Sequence, residues 1–356
     1  MSVPRQKTML FLIVLLFFPP YFAAKTQKEA VDSGLKWLRT QQKENGAFMD
    51  YPAITALCVS SFLHNGATEE DPAVRKGIEF ILKCAKEDGS IAVDNMGCYN
   101  TSICVMTLYE TKNSKYEKVI EKAREWLKKI QVGNGDRVES DDKYYGGIGY
   151  DSHMKPDFSN LQHALEALKV TSGSDHIFMA PVNKNDEEVF ERAIFFISRC
   201  QNLKGSNDQK WAGTDGGFIY SPDGESKAKE SKSYGSMTYA GLKSFIYCNV
   251  DRHNPRVIAA INWIRDNYTV NENPNMGTQG LYYYYHTFAK ALKVFGEKSI
   301  RDEKGAEHVW AKELSDKVVS LQKPEGYWIN DTDRWWESKK ELATAYSLLT
   351  LSYCEE

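Results

Sequence analysis

The chain has 356 residues, 45 basic and 48 acidic, for a formal charge of −3. This near-neutral balance argues against a nucleic-acid partner, which calls for a concentrated basic surface. The length holds one large domain or two ordinary ones. Seven cysteines leave at least one unpaired in an exported chain, and they show neither CxxC nor metal-ligand spacing. Cys58, Cys104 and Cys248 sit in apolar helical runs and read as small core residues.

At the N-terminus, Arg5 and Lys7 precede an apolar run from Met9 to Phe18, and Ala23 and Ala24 follow. The layout predicts a secretory signal peptide over residues 1–24, because the run is too short to span a bilayer comfortably. Tyr21 and Phe22 make the cleavage region imperfect, and an uncleaved N-terminal anchor is the alternative. The expectation is an exported protein, periplasmic or extracellular, with no stable membrane span after cleavage.

From residue 28 two kinds of helix alternate. "GLKWLRTQQ", "GIEFILKCA", "AREWLKKIQ", "AIFFISRCQ" and "AINWIRDNY" carry an aromatic at the fourth position: Trp37, Phe80, Trp126, Phe196 and Trp263. Gln42, Gln131 and Gln201 follow in three of them, and a weaker sixth copy, "KVVSLQ", ends in Gln322. These segments are amphipathic, with Val74, Ile78 and Ile81 on one face and Arg75, Lys76 and Glu79 elsewhere. A glycine-containing turn follows each, and then a far more apolar helix: "ITALCVSSFL", "TSICVMTLYE", "SNLQHALEAL", "MTYAGLKSFIY", "YYYYHTFAKAL" and "ELATAYSLLTL". Six alternations predict an all-α protein, a single α6/α6 barrel of six helical hairpins over residues 28–354, with half-exposed outer helices around apolar inner ones. The competing architecture is an open superhelical solenoid. Within "YYYYHTFAKAL", Tyr284 and Phe288 are expected in the core, and Tyr285 and His286 at the mouth.

The turns "QKENGAF" (42–48) and "QKPEGYW" (322–328) fit the spacing Q-x-x-x-G-x-aromatic, in which a glutamine amide bonds across a helix end and the aromatic covers it. They resemble the QW repeat of squalene–hopene and oxidosqualene cyclases and the related toroids of protein prenyltransferase β subunits. The resemblance implies a fold, not an activity. Where such cyclases carry a D-x-D-D acid motif, this chain reads "DFSN": Asp157 matches the first aspartate, and Ser159 and Asn160 replace the other two. Where the prenyltransferases hold zinc with aspartate, cysteine and histidine, Tyr234, Ser236 and His286 stand here. The resemblance therefore implies no catalytic zinc, and no cofactor is expected.

Asp157 and His286 remain the candidate catalytic residues, against an N-cap and a buried, hydrogen-bonded histidine respectively. Tyr99, Tyr150, Tyr234, Tyr283, Tyr285, Trp335 and Trp336 fall near inner-helix starts and are the candidate ligand-binding set, against simple filling of the lumen. Asp94, Asp151, His153, Asp215 and Asp333 occupy the same linkers and read more readily as turn caps. Two insertions, Val132–Asp142 and Ser221–Ser233, lie on that face, the second as an interaction loop or a disordered one. Asn100, Asn267 and Asn330 head formal glycosylation sequons. The leading expectation is a protein that binds, or binds and transforms, an apolar isoprenoid-like molecule or lipid. The alternatives are a non-catalytic exported module that meets a protein partner through 221–233, and a glycan-processing barrel.

Overall fold

The computed structural model describes residues 25–135, 138–173 and 186–355. The predicted signal peptide lies outside them. Six outer helices, α1 (Gln27–Gln41), α3 (Pro72–Lys83), α5 (Glu117–Lys129), α7 (Glu187–Cys200), α9 (Pro255–Asp266) and α11 (Trp310–Ser320), alternate with six inner ones. The inner helices are α2 (Pro52–His64), α4 (Gly97–Glu110), α6 (Phe158–Val170), α8 (Gly235–Tyr247), α10 (Leu281–Phe295) and α12 (Lys340–Cys354). Each inner helix packs on the next, and α12 packs on α2. That last contact closes the ring and excludes the open solenoid. A two-stranded ribbon, Ile300–Arg301 with Glu307–His308, decorates the link between α10 and α11.

Burial follows the two sequence classes. In α3, Arg75, Lys76 and Glu79 face water while Val74, Ile78 and Ile81 are buried. In α8, Ile246 is the one residue not fully buried. Three of the outer helices start on side-chain caps, α1 on Thr26, α3 on Asp71 and α9 on Asn254; Asp71 accepts from the Ala73 amide at 2.8 Å, with Pro72 next to it.

The glutamines knit the hairpins together. Gln42 Nε2 donates to Gly46 O (3.0 Å) in its own turn and to Ala73 O (2.8 Å) in the next outer helix. Gln131 repeats this with Gly146 O and Val189 O, and Gln201 with Gly216 O and Arg256 O. Gln322 reaches Gly326 O (2.7 Å) and, across the closure, Ala30 O (2.8 Å). Gly46 has φ 87°, and a Cβ there would lie 2.1 Å from Lys76 O, so only glycine lets the turn press on the neighbouring helix. Two residues on, Phe48 and Trp328 are wholly buried, and their amides donate to Thr55 Oγ1 (2.9 Å) and Thr344 Oγ1 (3.0 Å) on the inner helices.

The sequon asparagines are engaged within the fold. Asn100 and Asn330 are buried, and all three side-chain amides donate to protein acceptors, Asn267 to Trp263 O. Among the described residues no helix is long and apolar enough to cross a membrane.

Candidate functional site

The N-terminal ends of the inner helices meet at one end of the barrel around a cavity of about 240 Å³. Tyr99 on α4, Ser159 and His163 on α6, Ser236 on α8, Tyr283 on α10 and Tyr346 on α12 line its depth. Loop residues Tyr51, Tyr150, Tyr220, Tyr234, Trp335 and Trp336 complete the wall. Six of the seven aromatics singled out in the sequence thus share one cavity. Trp335 and Trp336 form its rim, 42% and 44% exposed, with Trp336 edge-on to Tyr51 at 5.2 Å. Both have left-handed backbones, φ 59° and 65°, a strained conformation for bulky residues.

Tyr285 is the exception. It is wholly buried, and its hydroxyl donates to Val270 O at 2.8 Å, away from the cavity. Two residues of helix turn a side chain by roughly 200°, so Tyr283 and Tyr285 cannot share a wall. Tyr284 lies in the core with its hydroxyl on Thr269 O, and Phe288 stacks on Tyr239 at 4.6 Å.

His286 is not at the mouth either. It is buried deeper in the lumen, its ring 5.3 Å from Tyr346 and 5.7 Å from Tyr353. Burial, and then the Lys290 charge, hold its pKa well below the usual range, so it is a neutral imidazole. Tyr234, Ser236 and His286 supply neither carboxylate nor thiol, and the Ser236 amide is bonded to Asn273 Oδ1. This donor set does not fit a zinc ion.

Asp157 caps α6. Its Oδ1 accepts from the Asn160 amide (2.9 Å) and its Oδ2 from Asn160 Nδ2 (2.7 Å). Burial raises its pKa against those donors, and it does not line the cavity. The other linker aspartates are also caps: Asp94 for Met96, Asp151 for His153 and Met154, Asp215 for Gly217. Asp333 accepts from Ser338 Oγ.

The insertion 221–233 is tied down rather than loose. Trp211 Nε1 donates to Pro222 O (2.7 Å), Tyr144 donates to Asp223 (3.0 Å), and Lys155 pairs with the same carboxylate. Lys227 brings its ammonium 4.0 Å from the Tyr220 ring at the cavity edge. In the other insertion, Arg199 donates to Ser140 O and Asp142 O, both at 2.7 Å.

Besides Tyr51, His163, Tyr220 and Tyr346 on the cavity wall, two charged groups escaped the sequence reading. Glu337 is 1% exposed on the cavity wall, and burial pushes its carboxyl up to about 7. Deeper in, Glu166 lies between Lys243 (2.5 Å) and Lys290. Burial opposes its charge, but the two ammonium groups hold the carboxyl well below the usual range. Beyond this triad a second cavity of about 800 Å³ opens at the other end, lined in part by His64, Glu110, Lys290 and Tyr353. The legible signal was a charge inside an otherwise apolar inner helix, as in "LQHALEAL" and "YAGLKSF".

A model of the squalene–hopene cyclase C-terminal domain matches residues 47–221. The squalene–hopene cyclase of Zymomonas mobilis is 24% identical over 168 residues, 46% of this chain and 24% of its own length. The matched region thus spans about a quarter of that relative. Among solved structures, a variant of the type II terpene cyclase MstE from Scytonema, bound to its substrate geranylgeranyl dihydroxybenzoate, superposes with a TM-score of 0.56. It is 10% identical, with 92% of this chain and 97% of that one covered. An inactive α-1,6-mannanase of Salegentibacter bound to α-1,6-mannotriose gives 0.61 at 10% identity, with 93% and 100% covered. The chain is an α/α toroid, a fold it shares with these terpene cyclase and mannanase structures.

Proposed function

We propose that the protein binds an apolar, isoprenoid-like small molecule in the aromatic cavity. The observation that carries this is the convergence of Tyr99, Tyr150, Tyr234, Tyr283, Trp335 and Trp336 on one concave wall. Such a wall buries hydrocarbon, and its ring faces favour unsaturated or cationic carbon. The resemblance to terpene cyclases supports the ligand class. It does not extend to their acid motif, since Asp157 is spent as a cap and Ser159 and Asn160 replace the other aspartates. The reading is of binding. A proton transfer at this wall would fall to Glu337, whose carboxyl titrates near neutrality.

A glycan-processing barrel fits less well. Glycoside hydrolysis generally employs a pair of carboxylates flanking the bond, and among the residues lining this cavity Glu337 is the carboxylate. Export through the predicted signal peptide remains part of the proposal, tested by sequencing the N-terminus of protein recovered outside the cytoplasm. Binding is tested by incubating purified protein with polyprenyl and squalene-type lipids, then extracting and identifying what is retained. Retention that falls when Trp336 is changed to Ala supports the proposal. Recovery no greater than from a denatured control defeats it.

A further inference from the structure

The aromatic cavity has a polar floor that a pure hydrocarbon would leave unpaired. His163 on α6 is 4% exposed and lines the cavity, and neither ring nitrogen has a hydrogen-bond partner among the described residues. Its ring stands edge-on to Tyr99, with centroids 5.1 Å apart. Burial, and then the Lys243 charge, bring its pKa down to about 3. The imidazole is therefore neutral, with one N–H donor and one bare nitrogen acceptor. Buried polar groups are almost always paired, so two orphaned ring nitrogens on a residue that lines the cavity point to what belongs there.

Beside His163, the hydroxyls of Tyr99 and Tyr346 lie 2.9 Å apart. One phenol proton makes that bond, and the other remains available to a third group. The floor thus offers both an acceptor and donors, which complements a group that both donates and accepts. The charges nearby are already committed: Lys227 at the edge pairs with Glu225, and Lys243 and Lys290 with Glu166.

We infer that the cavity takes a short isoprenoid alcohol, its neutral hydroxyl seated on His163 and the Tyr99–Tyr346 pair and its hydrocarbon body between the tyrosines and Trp336. This rests on the reading of the cavity as an isoprenoid site and adds which members of that class fit. A diphosphate head would reach the floor without an unpaired cation, among the described residues lining the cavity, to meet it. The volume, about 240 Å³, lies just below the roughly 300–1,000 Å³ usual for drug-sized ligands, which favours a short chain.

The test uses three probes of equal carbon number: geraniol, the hydrocarbon myrcene, and geranyl diphosphate. Each is titrated into the full chain while tryptophan emission and ligand-observed NMR are followed. Geraniol is expected to bind about 3–10-fold tighter than myrcene, the worth of one net hydrogen bond, and tighter than geranyl diphosphate. His163→Phe should abolish the preference, so that geraniol and myrcene bind that variant equally, while His163→Gln keeps part of the preference. Circular dichroism checks that the variants fold. If His163→Phe does not, the His163 ring-nitrogen shifts in the unaltered protein decide, moving with geraniol and not with myrcene. Equal affinities for geraniol and myrcene, a preference that survives His163→Phe, or unmoved ring nitrogens overturn the head-group assignment while leaving an apolar site. Failure of all three probes to bind overturns the isoprenoid reading itself.

Discussion

Glu337 sets burial against a helix terminus, and the two make opposite demands on its charge. Its Oε1 accepts from the Tyr283 amide (2.8 Å), and its Oε2 from the Tyr282 amide (3.2 Å) and Asn330 Nδ2 (2.7 Å). The amides belong to the first turn of α10, where a carboxylate is favoured. Burial disfavours it and prevails, raising the carboxyl from 4.5 to about 7. That displacement corresponds to about 3 kcal/mol. Between these two values the native state holds a proton that the unfolded chain has lost, so stability falls as pH rises through that window. Below it both states are protonated, and above it the loss is complete. Glu337→Gln keeps the shape and removes the titration, and any offset from its amide group is independent of pH. Urea denaturation of both proteins from about pH 4 to about pH 8 should show the variant gaining about 3 kcal/mol relative to the parent. A flat difference, or a variant that loses ground with rising pH, would mean that the α10 amides outweigh burial and would refute the reasoning.

Gln322→Leu removes the bond that ties the last turn to Ala30 of α1 and the one to Gly326 within the turn, and chemical denaturation should register a loss of about 1–3 kcal/mol; an unchanged midpoint would show that packing alone closes the ring. Glu166→Gln leaves the buried Lys243 and the partly buried Lys290 without their common counter-ion, with an expected cost of about 3–5 kcal/mol in the same assay. Deleting residues 223–231 removes the Asp223 contacts and Lys227, so the thermal transition should fall and the affinity for a lipid probe should change. Loss of a protein partner in a pull-down with the melting temperature unmoved would instead make the segment an interaction loop.

The ring was legible because its grammar is local. Glutamine, glycine and an aromatic or aliphatic anchor recur within a few residues, and the alternation of half-polar and apolar helices states which ring each belongs to. The aromatic wall was legible for a related reason: if every inner helix starts at the same end, residues near those starts must gather there. Precision within a helix was not legible. "YYYY" marks four positions about 100° apart, and apolar surroundings on all sides give no pattern to say which tyrosine sees the lumen. Tyr283 does, and Tyr285 donates its hydroxyl to a loop carbonyl instead. Glu337, in "DRWWESKK", reads as solvated, because the amides that bury its carboxylate come from a helix 54 and 55 residues away.

The charged layer is the deeper omission. Glu166 meets Lys243 across 77 residues and Lys290 across 124, so no window of sequence contains the set. Its position follows from one turn of α6: His163 lines the aromatic cavity, and Glu166, three residues on, lines the opposite one. Tyr283 and Lys290 divide α10 in the same way. A plane of paired charges therefore crosses the lumen between two cavities of different character. Hydrocarbon entering from the aromatic end would be stopped at that plane, since breaking the ion pairs costs more than further burial returns. What it meets just above is a neutral imidazole. The barrier that shortens the cavity thus also sets the polarity of its floor, and a ligand that fills the space and satisfies the floor must carry a neutral polar end.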